Sequence, residues 1–199
     1  MQARSSGAGM PAPNANVVDA NDIRLLGQVV GGDRRAFELL YRGYFPRLTR
    51  FLNRMTRSVP LIEEIVNDTM LVVWQKARSF DGSCKVSTWV FAIAYRTARK
   101  RIRALDEPVD ADPDLWEGNP SQQPEHEFEL LRLRRTVGAA LDILPLEQRT
   151  VVHLCYHHDM DYAEIAAVMD CPVNTVKTRM FHARRRLKPL LSGQLEGQP

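Results

Sequence analysis

The sequence predicts an all-α protein: two small helical domains joined by a flexible acidic linker. Three observations predict it. Apolar residues recur every three or four positions over most of the chain, the spacing of helices that bury one face. Between residues 104 and 126 that period stops, and acidic residues alternate with prolines. Residues 144–187 then carry two short amphipathic segments separated by Asp170-Cys171-Pro172, the layout of a helix-turn-helix.

Charge and cysteine content narrow the class. The 199 residues carry a formal charge of only +3, with a pI of about 8.9. The charge is unevenly placed: basic residues crowd 96–103 and 177–188, acidic ones 106–129. Such asymmetry points to a nucleic-acid partner and to an acidic segment with a separate task. Cys84, Cys155 and Cys171 are an odd, scattered set, which favours reduced thiols over a disulfide framework. No apolar run reaches the ~20 residues of a membrane span, and no hydrophobic signal core opens the chain. A soluble cytoplasmic protein is expected.

The elements follow in order. Residues 1–18 are rich in Ala, Ser, Gly, Pro and Asn and offer little apolar surface to offset the entropy of ordering. Residues 1–21 are therefore expected to be a disordered tail. Ile23, Leu25, Leu26 and Val29 start the helical period, Gly31-Gly32-Asp33 interrupts it, and Asp33 suits a helix N-cap. A long stripe follows through Ala36, Phe37, Leu40, Tyr41, Tyr44, Phe45, Leu48, Phe51 and Leu52, with Pro46 inside it as a candidate kink. Over 60–76, Ile62, Ile65, Val66, Thr69, Met70, Val73 and Trp74 share one side of a helix. Glu63, Glu64, Asn67 and Asp68 share the other, with Leu71 at its edge. By itself such an acidic patch is most simply solvated surface.

A polar loop, Asp81 to Ser87, leads to Thr88-Trp89-Val90-Phe91-Ala92-Ile93-Ala94 and then to Arg96, Arg99, Lys100, Arg101 and Arg103. Aromatic rings beside a basic run suit single-stranded DNA, whose bases stack while cations hold the backbone. The same residues also fit a core helix with a solvated basic tail, and Trp89 in particular is expected in the core. No Lys or Arg occurs between Arg103 and Arg132, while Asp106, Glu107, Asp110, Asp112, Asp114 and Glu117 lie among prolines. This stretch reads as an extended, self-repelling linker over 105–126.

The second domain is expected over 127–191, with a tail over 192–199. A helix over 127–143 points Phe128, Leu131, Val137, Leu141 and Leu144 towards a core. His153 and His157, four apart, could share a helix face as metal ligands do. Cys155 points elsewhere and has no second cysteine near it, so no metal site is expected. In the helix-turn-helix, Pro172 sits near the first turn of the second helix, where a missing N–H costs nothing. On that helix Val173, Val176, Met180, Ala183 and Leu187 fall on one side. Thr178, Phe181, His182 and Arg185 fall opposite, flanked by Thr175, Lys177 and Arg186. The second set offers the groups that read base edges and grip phosphates in a major groove.

The C-terminal stretch resembles region 4 of bacterial sigma factors, in the extracytoplasmic-function (ECF) group of the sigma-70 family. The matching residues are Leu144-Pro145, Gln148-Arg149, Tyr162, Glu164-Ile165-Ala166, Pro172, Thr175-Val176-Lys177, Arg179 and Ala183-Arg184. Asn174 departs from the glycine usual there. The resemblance extends over roughly 22–190. It implies a region 2 in residues 22–104, with Ala36-Phe37, Leu40-Tyr41 and Tyr44 where that pattern wants them. It implies that Glu63, Glu64, Asn67 and Asp68 dock on the polymerase β′ subunit, and that Lys85, Arg96, Arg99, Lys100, Arg101 and Arg103 serve the promoter −10 element. The family often has Asn at the position of Arg96 and Asp at that of Lys100, which leaves the −10 base preference open. By the same resemblance Thr175, Lys177, Thr178, Arg179, Phe181, His182, Arg184 and Arg185 serve the −35 element. The acidic linker would enter the polymerase cleft; a plain spacer fits the residues equally well. The extra domain of longer sigma factors is missing there, as in the minimal ECF class.

The expected function is that of an initiation subunit. It would bring core polymerase, through its β′ and β subunits, to −35 and −10 promoter DNA under the control of an anti-sigma factor, in response to stress. No Gly-rich phosphate loop, paired nucleophile and base, or metal cluster stands in the sequence, so no catalytic residues and no cofactor are expected. A stand-alone helix-turn-helix regulator with an N-terminal sensing or dimerisation domain is the alternative.

Overall fold

A computed structural model of the chain describes residues 15–105 and 136–195. In the first half α1 spans Ala15–Val30, α2 Arg34–Leu52, α3 Val59–Lys76 and α4 Val86–Leu105. A short 3-10 turn, Ala77–Ser79, follows α3. In the second half α5 covers residues 136–142, α6 Leu146–His157, α7 Tyr162–Met169 and α8 Val173–Leu195. The linker and the start of the 127–143 helix, with Phe128 and Leu131, lie outside the described residues.

Local chemistry explains the breaks. Gly32 turns the chain at φ 88°, a conformation that costs glycine little. The Asp33 carboxylate then accepts from the amides of Arg35 and Ala36 at 2.8 and 3.2 Å, satisfying two of the orphan donors of α2. Pro46 lies within α2, which continues through it to Leu52. The apolar stripes become the core: Tyr44, Leu48, Phe51 and Leu52 of α2 and Ile65, Val66 and Met70 of α3 are almost fully buried. Each such side chain contributes about 1.5–3 kcal/mol.

The N-terminal boundary differs from the expectation. Residues 15–21 are the first turns of α1, not tail. Long-range polar contacts hold them: Asp19 Oδ1 accepts from the Val86 amide at the start of α4 at 3.0 Å. One turn on, the Tyr44 hydroxyl donates to Asp22 at 2.6 Å. Burial raises the pKa values of both Asp22 and Tyr44.

The two halves pack on one another, and α4 is the wall between them. It packs against α3 on one side and α7 on the other. Every residue from Val90 to Tyr95 is buried, as expected of a helix covered on all sides. Trp89 is only half-buried, packed on Phe80 at 5.4 Å. Polar contacts complete the seam. Arg57, between α2 and α3, pairs with Asp142 of α5 at 2.6 Å. Arg149 of α6 donates to the carbonyls of Arg54, Asp142 and Leu144 at 3.3, 2.8 and 3.1 Å. Burial lowers the pKa values of both Arg54 and Arg149, against the pull of Asp142.

Candidate nucleic-acid interface

The helix-turn-helix is tightly determined. Asp161 caps α7 by accepting from the amides of Ala163 and Glu164, both at 2.8 Å. Glu164 returns the bond to the Asp161 amide at 3.0 Å, completing a capping box. The turn is made by Asp170 in the left-handed region at φ 51°. The Cys171 amide closes back on Ala166 at 3.1 Å, a Schellman-like ending. Pro172 then offers its carbonyl to the amides of Thr175 and Val176, starting α8 without needing a donor of its own.

This locks the face that α8 presents. Val176, Met180 and Ala183 are buried and Leu187 is half-buried. Val173, expected among them, is 37% exposed at the first residue of α8. Lys177, Thr178, Phe181, His182, Arg184 and Arg185 are exposed, and Thr175 and Arg179 are half-buried. Three of these side chains are already engaged. Thr178 donates to the Asn174 carbonyl at 2.9 Å, Arg179 reaches Cys171 Sγ at 3.5 Å, and Arg184 donates to the Tyr156 hydroxyl at 2.8 Å. The last bond holds the Arg184 pKa up. Phe181 is 62% exposed, and its ring stands edge-on to His182 at 5.5 Å.

The basic end of α4 forms a second surface. Arg96, Arg99, Lys100 and Arg103 line one cleft of about 530 Å³ together with Tyr95 and with Met169 and Asp170 of the helix-turn-helix. The Arg99 guanidinium lies 5.6 Å from the Tyr95 ring centroid, a cation–π distance. Two residues grouped with them on sequence stand apart. Arg101 turns to α3 and bridges Glu64 at 2.8 Å and Asp68 at 2.7 Å, and its bond to Asp68 raises its pKa. Lys85 pairs with Glu164 of α7 at 2.9 Å, which raises its pKa likewise. Thr88 donates to the same carboxylate at 3.3 Å. Glu164 therefore serves its own helix and the other half at once.

On α3, Glu63, Glu64 and Asn67 are exposed and Asp68 is half-buried, while Leu61, Ile62, Ile65 and Val66 are buried. Asn67 accepts from the Tyr41 hydroxyl at 2.8 Å, and Leu71 beside this face is 53% exposed. Among the described residues no group of three or more His, Cys, Asp or Glu stands ready to hold a metal ion. Among them, too, no helix is long and apolar enough to cross a membrane.

Comparison with known proteins matches residues 40–107 to sigma-70 region 2 and residues 134–187 to sigma-70 region 4. The chain is 31% identical over 163 residues to an ECF RNA polymerase sigma factor RpoE of Cereibacter sphaeroides, covering 80% of this chain and 88% of that protein. It is 29% identical to the RNA polymerase sigma-H factor of Pseudomonas aeruginosa, covering 85% of this chain and 95% of that one. Among solved structures it resembles the sigma factor RpoE of Bartonella quintana in complex with the anti-sigma factor NepR. There the TM-score is 0.57 and the identity 26%, over 78% of this chain and 96% of the other.

Proposed function

The chain belongs to the ECF RNA polymerase sigma factors, and from that premise we propose how its surfaces divide the work of initiation. It directs core polymerase to promoters and begins transcription there, as this family does. Region 2 is assigned to residues 22–104, with the first turns of α1 added to it, the linker to 105–126 and region 4 to 127–191. Glu63, Glu64, Asn67 and Asp68 dock on core polymerase. Arg96, Arg99, Lys100 and Arg103, joined by Lys85 and Arg101 when their ion pairs part, serve the −10 element. Thr175, Lys177, Thr178, Arg179, Phe181, His182, Arg184 and Arg185 serve the −35 element. An anti-sigma factor, like the partner of the Bartonella relative, holds the chain inactive until a stress signal. The protein works by binding alone, with no catalytic step, beside polymerase in the cytoplasm.

The observation that carries this reading over a stand-alone regulator is the α3 face. Glu63, Glu64 and Asn67 are exposed and Asp68 is half-buried, with Arg101 bridging Glu64 and Asp68 from α4, while the opposite face is core. Carboxylates so placed suit charge-assisted bonds to arginines of a large partner. Charge reversal of Glu63, Glu64 and Asp68 together is expected to abolish binding to purified core enzyme in a native gel shift and to leave helicity intact. Unchanged binding would refute the assignment of this α3 face to core polymerase.

A further inference from the structure

Three imidazoles gather where α6 of the second half meets α2 and α4 of the first. His153 is 2% exposed. Its ring lies 4.5 Å from that of His157 and 5.1 Å from that of His158. His158 packs on Phe91 of α4 at 4.5 Å, and Phe51 of α2 stands 6.3 Å from both His153 and His158. Among the described residues neither ring nitrogen of His153, nor Nε2 of His158, has a hydrogen-bond partner. The charged groups facing the cluster from α2 and just beyond it are cations: Arg47, Arg50 and Arg54. Acidic groups line the adjoining cavity, but most are committed. Asp22 holds Tyr44, Asp19 holds the Val86 amide, and Glu164 holds Lys85; Asp159 is exposed. A second positive charge on these rings thus finds arginines and apolar rings rather than a waiting carboxylate.

We propose that this contact is a proton-operated latch: it stays shut while His153 and His158 are neutral, and acid opens the two halves by protonating both rings once water reaches them. Burial is the main force that pushes His153 down to about 2 and His158 down to about 3, and neighbouring imidazoles and arginines add to it. Their ordinary value is 6.5. The closed form therefore binds fewer protons than the open form, and falling pH favours opening. The penalty on closure starts as pH drops through 6.5 and grows down to about 3. Between pH 8 and pH 5.5 each freed ring multiplies the opening equilibrium by about 10, and the two together by about 100. Opening also separates Lys85 and Thr88 from Glu164. That this makes the protein competent for promoters rests on the function proposed above; the latch itself does not.

The test uses the full chain with its three cysteines changed to serine and dyes on cysteines placed at the exposed Lys76 and Lys188 positions. Single-molecule energy transfer then counts open and closed molecules from pH 8 to pH 5.5. The open-to-closed ratio is expected to rise about 100-fold in this parent chain and to rise far less in a His153→Leu/His158→Phe variant, where only His157, also held down by burial and by Arg54 and Arg50, is left to respond. A parent ratio that moves less than about 3-fold overturns the latch, as does a double variant that opens as readily as the parent. Should the double variant lose its helicity, His158→Phe alone decides. It is expected to cut the acid response about 10-fold, and an unchanged response overturns the proposal.

Discussion

At the end of the seam where α5 meets Arg57, Asp142 sits among three guanidiniums, those of Arg54, Arg57 and Arg149. Its carboxylate is 20% exposed and lies 2.6 Å from Arg57, itself 14% exposed, and 3.4 Å from Arg149. Burial lowers the Arg54 pKa, and the same carboxylate pulls against that shift. Asp142→Asn keeps the size of the side chain, so no cavity obscures the result; it removes the charge and turns one acceptor oxygen into an amide donor. Losing one member of a buried ion pair costs about 3–5 kcal/mol, and the partial exposure here places the loss nearer 2–3 kcal/mol. For a chain of this length that lowers the melting temperature by about 5–10 °C. Thermal unfolding followed by circular dichroism, at low and high salt, measures it. Replacing both partners, as in Arg57→Met/Asp142→Leu, is expected to recover most of the loss, because no charge is then stranded. A fall of less than about 2 °C for Asp142→Asn refutes the claim that this carboxylate neutralises the seam.

Two further predictions concern DNA. Alanine at Thr178 or His182 is expected to cost about 1–3 kcal/mol on the preferred promoter and to relax preference at one or two −35 positions, whereas alanine at Arg185 weakens every sequence alike and flattens the salt slope. Holoenzyme binding to a −35 library at two salt concentrations separates them, and a uniform loss for both kinds of variant contradicts the placement of α8. Alanine at Arg96, Arg99 and Arg103 together is expected to weaken promoter melting most at low salt, the deficit narrowing as salt rises because fewer phosphate contacts remain to be screened; permanganate footprinting across the −10 region reports it, and normal melting at every salt concentration removes α4 from that role.

What the sequence disclosed follows from the range of the forces involved. Helices, caps and the helix-turn-helix depend on neighbours within four residues, so Asp33, the α3 stripe and the outward face of α8 were legible. Contacts between distant segments were not. Arg101 looks like one more cation of a basic run until α3 brings Glu64 and Asp68 to it. Residues 15–21 look like tail until Asp19 and Asp22 find Val86 and Tyr44. The histidines of α6 suggest at most a metal site, whereas the fold uses them as packing at the seam. Arg184, free on a helical wheel, is claimed by Tyr156. One signal for the packing of the halves was present. Val90-Phe91-Ala92-Ile93-Ala94-Tyr95 is apolar on every side of its helix, and only a helix covered all round needs that.

The shared wall has a thermal consequence. Apolar surface on α4 stays dry only while both halves lean on it, and part of it meets water when they part. Hydrating such surface raises the heat capacity, so the drive to keep it buried fades as temperature falls. The closed packing accordingly has a temperature of greatest strength, and chilling loosens the seam while the smaller cores within each half persist. The same joint that answers to protons answers to cold, with no side chain changing its charge.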